Sequence, residues 1–486
     1  MKIGYILIFV LFSSFAGVAQ NLVFDAVIAA DGSGDYLSIS DAISRTRTSI
    51  TDRFLFYIKP GTYSEKISIS KDNISLIGAQ DGEVIITWDD YSGDEDGHTT
   101  STSYTALMSG DGFYAENLTF ENTAGDVGQA VAVSTTGRQQ FFKNCQLTGF
   151  QDTYYANKGI QYFSNCFIEG ATDFIFGEST AVFDNCQINC VTGGQYITAP
   201  ADTKLISEVG GEKLYHGLLF LGCDITADAN VPSSSYFLGR PWQPNSSSVY
   251  VECTLGNHIK SEGWSEWNNS NHLSAIFAEY QNTNPTGGLV DVSNRVSWSR
   301  QLTAERSNIY KNLVLYLDGW DVSPLLSPLS QPSNIETTIS VLDSVRLQWD
   351  AVGEAIGYVV FKNDSITSFL TERSYTDLIS IAGDTYEVAA LNEFGNIGEK
   401  SVVMEVKRQD QGPAPLQVKE QFQYQLMKGK VITSEPVDFF VYAMNGSLKQ
   451  RKINESSLLL SNWTKGVYII QMINPRGDLQ TFKVAL

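Results

Sequence analysis

Three copies of one short phrase, Phe142-Lys143-Asn144-Cys145, Phe163-Ser164-Asn165-Cys166 and Phe183-Asp184-Asn185-Cys186, follow one another at intervals of 21 and 20 residues. A period near 20 made of short β-prone runs, with no helical periodicity, fits a parallel β-solenoid in which each coil pairs with the one below. The same register carries chemistry. Asp152 lies seven residues after Cys145 and Asp173 seven after Cys166, and Gln129 precedes Gln151 by 22 residues, again one coil. Equivalent positions on successive coils stand about 4.8 Å apart, the spacing of adjacent strands. Two carboxyls that close cannot both ionise freely, so one is expected to keep a proton near neutral pH beside an anion. Two amides share their face. Stacked asparagines can satisfy one another, and a structural ladder of that kind is expected for Asn144, Asn165 and Asn185; stacked aspartates only destabilise unless used.

Around this core the 486-residue chain is too long for one domain. Met1 to Ala19, with Lys2, an apolar run from Ile3 to Phe15 and small residues at Gly17 and Ala19, reads as a secretory signal. Residues 21–320 read as the solenoid, in runs such as Phe54-Leu55-Phe56-Tyr57-Ile58 and Val84-Ile85-Ile86-Thr87 separated by Gly, Asn and Asp turns. One early helix, Tyr36 to Ile50, is placed to cap the open end. Residues 321–333, rich in Pro and Ser, read as a linker. Residues 334–407, with Trp349 and Tyr386 in short strands, suit a small β-sandwich. Residues 408–415 read as a second linker, and 416–486 as a last β domain ending in Gly466-Val467-Tyr468 and a terminal hairpin. The expected class is all-β: a right-handed parallel β-helix followed by two small sandwiches.

A net charge of -21 argues against nucleic acid as a partner, since phosphate binding needs a basic face. No later apolar run reaches about 18 residues, so no transmembrane span is expected. All six cysteines lie between Cys145 and Cys253. A disulfide between Cys166 and Cys186 and a ladder of buried thiols are both compatible with the repeat. His98, His216, His258 and His272 show no metal-ligand spacing, and the acidic run Asp89 to Gly97 lacks that of a calcium loop and is expected to be solvated. Neither metal nor cofactor is implied.

Four motifs complete the pattern: Gly128-Gln129-Ala130-Val131-Ala132, Gly149-Phe150-Gln151-Asp152-Thr153-Tyr154, Asp173-Phe174-Ile175-Phe176-Gly177 and Leu238-Gly239-Arg240-Pro241-Trp242. Together with Asp31-Gly32-Ser33-Gly34-Asp35-Tyr36, Ile58-Lys59-Pro60-Gly61-Thr62-Tyr63 and Glu262-Gly263-Trp264-Ser265-Glu266-Trp267, they make the chain resemble a pectin methylesterase from about Val23 to Trp320. The resemblance implies a monomeric hydrolase acting on methyl-esterified homogalacturonan. Asp173 matches the family's nucleophile, Asp152 its general acid and base, Gln151 and Gln129 its oxyanion donors, and Arg240 the arginine that hydrogen-bonds the nucleophile. Trp242 offers a face for a sugar ring, and Phe150, Tyr154 and Phe176 flank the carboxyls as candidate groove residues. The sandwich resembles a fibronectin type III module. The tail resembles a C-terminal sorting domain of type IX secretion, which implies a secreted or cell-surface protein and the sorting machinery as a partner.

One departure stands out: where many relatives read Ile-Thr-Ala-Gln followed by Gly-Arg or a similar basic pair, this chain has Ile197-Thr198-Ala199-Pro200-Ala201-Asp202. A glycosidase is the nearest rival, because two carboxyls about 5 Å apart also suit a retaining mechanism. A lyase and a non-catalytic carbohydrate-binding solenoid are the others. Gly-x-Ser-x-Gly is absent, which speaks against a serine esterase.

Overall fold

Phe54–Ile58 and Ile74–Gly78 are apolar or aromatic at nearly every position and buried along their whole length. Only a strand covered on both faces fits that composition. In the computed structural model, which describes residues 23–46, 52–267, 270–339, 344–377, 380–406, 424–427, 430–443, 448–460, 463, 467–475 and 479–485, such runs stack into three parallel sheets. Eleven strands run from Ala26–Ile28 to Arg300–Gln301, eight from Gly61–Ser64 to Thr254–Leu255, and seven from Ile67–Ile69 to Phe237–Gly239. A typical coil gives one strand to each: Gln140–Lys143, Gln146–Thr148 and Tyr154–Ala156. This is a parallel β-helix.

The register matches the repeat. Phe142 pairs with Phe163, Phe163 with Phe183, Phe183 with Phe220 and Phe220 with Tyr250. Their rings form one internal stack with centroids 4.6, 5.0, 4.6 and 4.3 Å apart, each pair adding about 0.5–1.5 kcal/mol beyond burial. All six cysteines are free and buried, with the Cys166 N–H 3.4 Å from the Cys186 sulfur. The asparagines play a different part from the one expected. Asn144, Asn165 and Asn185 are exposed and have φ of 50°, 51° and 50°, so they stand where the coil turns through the left-handed region that Asn tolerates. Asn144 bonds Asn117 at 3.4 Å, whereas Asn165 and Asn185 bond their own preceding residues.

The early helix is shorter than its pattern suggested, Ile39–Arg45. Ser38 caps it by accepting from the Asp41 N–H, and the Glu65 carboxylate receives the Ile39 and Ser40 N–H groups at 2.7 and 2.9 Å. Ile39, Ala42 and Ile43 are buried against the first coil.

Residues up to Lys407 form one compact unit. The stretch expected as a first linker contains a short helix, Ser323–Leu326, with Val322 and Leu325 buried. Beyond it, Gly357–Lys362 and Thr385–Leu391 form the middle of an antiparallel sheet. One face of these strands, with Tyr358, Val360, Tyr386, Val388 and Ala390, packs on Trp349 and Leu347 as a sandwich. Val359, Phe361, Ala389 and Leu391 point the other way and join the β-helix core. Phe369 sits edge-on to Phe24 and Tyr57 at 4.7 and 4.8 Å. Across this seam the buried Glu116 carboxylate receives the Asn396 amide at 2.7 and 2.8 Å and the Tyr114 hydroxyl at 2.8 Å, with Lys143 3.3 Å away.

The second unit, from Arg408, is an antiparallel sheet built on Lys430–Ala443. It has its own core of Val431, Phe439, Val441, Leu458, Ile470 and Met472. The segments expected as signal sequence and second linker, and Gly466, lie outside the described residues. No helix among the described residues is long and apolar enough to cross a membrane.

Candidate active site

Where each coil enters the seven-stranded sheet, single-residue bridges pair Gln129 with Gln151 and Gln151 with Thr172. Asp152 and Asp173 follow the latter two, so the carboxyls fall in register on neighbouring coils. Both have a left-handed backbone, φ 64° and 50°. A bulge adds to the effect at Asp173: Thr172 pairs with Tyr196 but Ile175 with Thr198, which leaves one extra residue on the strand Thr172–Gly177. Bulges re-aim side chains; here Phe174 turns fully into the core while Asp173 keeps 7% exposure toward a cleft.

Arg240 reaches Asp173 from two coils away. Its Nε donates to Asp173 Oδ1 at 3.0 Å and its Nη2 to Oδ2 at 2.5 Å, the bidentate fork that fixes a carboxylate in its plane. Gly239 makes the approach possible, because a Cβ there would lie 2.0 Å from Thr198 Oγ1.

The two carboxyls are driven apart electrostatically. Burial pushes Asp152 well above the ordinary carboxylate range, and the Asp173 charge pushes it further, against weaker opposition from the Gln151 amide and Arg240. Burial also raises Asp173, but the Arg240 hydrogen bonds and charge pull directly against it. A proton shared by the pair therefore rests on Asp152, and Asp173 is the anion.

The cleft has a volume of about 410 Å³. It is lined by the polar Gln129, Gln151, Asp152 and Asp173, by the largely apolar Tyr155, Phe176, Ala199, Trp242 and Trp267, and by Thr99, Thr100 and Ser101. Tyr155 and Phe176 stack with centroids 4.4 Å apart, and Trp242 lies 6.0 Å from Phe176. Gln129, Gln151, Asp152, Asp173, Phe176 and Trp242 thus line one cleft.

Tyr154 and Phe150 do not line this cleft. Tyr154 is fully buried, edge-on to Phe163, with its hydroxyl 2.9 Å from that of Thr135. Strand alternation turns its neighbour Tyr155 outward instead. Phe150 packs beside Gly193. The loop from Asp89 is solvated as expected at Asp89, Glu95 and Asp96 but tied down at Asp90 and Asp94. His98 Nδ1 lies 2.7 Å from Asp94 and its Nε2 3.2 Å from Asp90, while Lys66 Nζ lies 2.5 Å from Asp90 and donates to the Thr102 carbonyl at 2.7 Å. Asp90, Asp94 and His98 could hold a cation by proximity, but the Lys66 ammonium already sits on Asp90. These contacts tie down the segment that ends in the Thr99 to Ser101 wall. Nothing in the repeat marked it.

Fold and cleft together define a parallel β-helix protein with a carboxyl beside a carboxylate in its cleft. A family model described as pectinesterase matches residues 25–314, and the chain belongs to that family. A pectinesterase/pectinesterase inhibitor of Prunus persica is 36% identical over 312 residues, which cover 62% of this chain and 58% of that protein. A probable pectinesterase/pectinesterase inhibitor of Brassica napus is 35% identical, with 56% of this chain and 47% of that one covered. The chain thus spans about half the length of these two relatives. It spans 86% of pectinesterase 31 of Arabidopsis thaliana, at 36% identity over 57% of its own length. Among solved structures, a pectin methylesterase from carrot matches with a TM-score of 0.56 at 30% identity, covering 63% of this chain and 97% of that one. One from Erwinia chrysanthemi matches with a TM-score of 0.52 at 28% identity, covering 61% and 98%.

Proposed function

We propose that this chain is a carboxylic ester hydrolase that removes methyl groups from methyl-esterified homogalacturonan and releases methanol. The observation that carries the reading is the convergence in one cleft of an anionic Asp173 held by Arg240, a protonated Asp152 and the amides of Gln129 and Gln151. An Asp173 oxygen adds to the ester carbonyl carbon, and the carbonyl electron pair moves onto oxygen. The neutral amides of Gln129 and Gln151 are the donors available to that oxyanion. Collapse expels methoxide, which takes the Asp152 proton and leaves as methanol, so Asp173 and the substrate are joined as an anhydride. Water then adds to the substrate carbonyl carbon and gives its proton to the Asp152 carboxylate. Asp173 departs as the anion, and the substrate is left with a carboxyl group, whose remaining proton goes to solvent. Ester and water have become acid and methanol, and both aspartates have returned to their starting states.

Glycosidic cleavage fits less well, because neutral amides beside the nucleophile match a developing oxyanion rather than an oxocarbenium cation. The apolar side with Trp242, Trp267 and the Tyr155–Phe176 stack suits the flat faces of uronate rings. Export through the N-terminal signal, a fibronectin type III-like role for residues 334–407 and delivery to the cell surface through a C-terminal sorting domain complete the reading. The full-length protein is to be incubated with highly methylated pectin. Methanol without loss of polymer length supports an esterase; new reducing ends, unsaturated ends or no product would reject it in favour of a glycosidase, a lyase or a binding protein.

A further inference from the structure

Arg240 is gripped on its faces as well as along its edge. Beyond the two hydrogen bonds to Asp173, its guanidinium carbon lies 3.8 Å from the centroid of the Tyr196 ring and 4.1 Å from that of Trp267. Tyr196 belongs to the strand Tyr196–Pro200, which lies between the strand of Asp173 and the strand that leads into Arg240. The arginine must therefore cross it to reach its partner. Tyr196 is itself braced. Register places it beside Phe237, with ring centroids 5.6 Å apart and planes 9° from parallel, and Lys260 Nζ lies 4.2 Å from the Phe237 ring. The line thus runs Lys260, Phe237, Tyr196, Arg240, with Trp267 closing on the guanidinium.

We propose that Tyr196 and Trp267 are positioning residues, two rings that clamp the Arg240 guanidinium so that its fork stays in the plane of the Asp173 carboxylate. A long arginine side chain at the rim of an open cleft has many rotamers, and only one aims two N–H groups at one carboxylate. Flat rings select that rotamer, because a delocalised guanidinium is attracted to an aromatic face and a planar ion stacks in one orientation. With its ring already engaged by Arg240 and Phe237, Tyr196 acts through the arginine and not on substrate. What the clamp supplies is constancy: Asp173 stays charged and in line while Asp152, on the next coil, passes its proton out and back.

The inference rests on the esterase reading, so its test carries one measurement that needs no turnover. Tyr196→Phe, Tyr196→Leu and Trp267→Leu are compared in the full-length protein. The kcat and KM for methanol release are followed from acid to alkaline pH, and Asp173 is titrated directly by 13C carboxyl NMR, assigned with Asp173→Asn. Tyr196→Phe keeps the ring and is expected to stay within about twofold of wild type in kcat. Tyr196→Leu is expected to lower kcat at least tenfold with little change in KM. It should also move the acid limb of the profile, and the NMR titration of Asp173, upward by about one pH unit, because a cation that no longer stays beside a carboxylate stops lowering its pKa. Trp267→Leu should move the titration in the same direction, and it answers the question if Tyr196→Leu does not fold. An unmoved Asp173 titration in the folded leucine variants overturns the clamp, as does a Tyr196→Phe protein as impaired as Tyr196→Leu. Absence of methanol from the wild type with a shifted titration in the variants would reject the esterase reading and leave the clamp standing.

Discussion

Replacing Asp152 by Asn separates chemistry from folding at this site. The amide has nearly the shape of a protonated carboxyl, and Asn enters the left-handed region, so the backbone at φ 64° needs no adjustment. It cannot give a proton to methoxide. General acid and base catalysis is worth about 10²–10⁴-fold, so kcat should fall by that factor, or about 2.7–5.4 kcal/mol of barrier. Stability should move the other way. The folded Asp152 carboxyl titrates well above its ordinary value through burial and the neighbouring Asp173 charge. Its favourable contribution is complete below the ordinary carboxyl range and is lost as the pH climbs toward the folded value, at about 1.4 kcal/mol per pH unit. An amide there has no such dependence. Asp152→Asn should therefore unfold at about the wild-type denaturant concentration near pH 4 and at a higher one near pH 7.5. Asp152→Ala would confound the comparison, because a left-handed backbone under alanine costs about 1–2 kcal/mol of its own. The assay is methanol release alongside urea unfolding at the two pH values. Full activity in Asp152→Asn, or a midpoint below wild type at pH 7.5, would refute both the proton assignment and its cause.

Arg240→Lys should lower kcat by at least about 10²-fold, because a point charge cannot replace the two-pronged contact with Asp173 or the stack between two rings; steady-state methanol release within tenfold of wild type would contradict this. Asn396→Ala leaves the buried Glu116 carboxylate with only Tyr114 and Lys143 and should cost about 1.5–3 kcal/mol, seen as a lower denaturation midpoint with unchanged turnover at room temperature. Just beyond Ala199 and Phe176, Glu178 and Asp202 share the single Lys204, at 3.3 and 3.1 Å. The combined Glu178→Gln and Asp202→Asn variant should gain about two- to fivefold in kcat/KM on pectin of low methylation relative to fully methylated pectin, the size expected of half-exposed charges; an unchanged ratio would show that this end of the cleft does not sense free carboxylates.

The coils were readable because the repeat runs uninterrupted from Phe142 to Cys186, where nearly equal spacing converts directly into register and aligns Asp152 with Asp173. Beyond Cys186 the period fails. The hairpin of Ile206–Val209 and Glu212–Tyr215 is inserted before Leu218–Leu221 resumes the eleven-stranded sheet, so spacing alone could not bring Tyr196 and Arg240 together. Tyr154 and Tyr155 exchanged roles for a different reason. The left-handed turn at Asp152 resets which side of the strand faces inward, and alternation fixes the period but not the phase. The wall at Thr99 to Ser101 was out of reach because Lys66, Asp90, Asp94 and His98 meet from segments outside any repeat. Asn144, Asn165 and Asn185 were the right residues to notice, but their regularity records a shared backbone torsion rather than a ladder of bonds from one of them to the next.

Glu116, Ile77 and Tyr57, against which the neighbouring module is seated, belong to the eleven-stranded wall, whereas the reactive pair stands on the seven-stranded one. The seat of the module and the strand of Asp173 therefore belong to different sheets of the coil. Behind the pair, Tyr154 meets the internal column of stacked rings edge-on, so the cleft is braced from its core side as well as by the contacts along its rim.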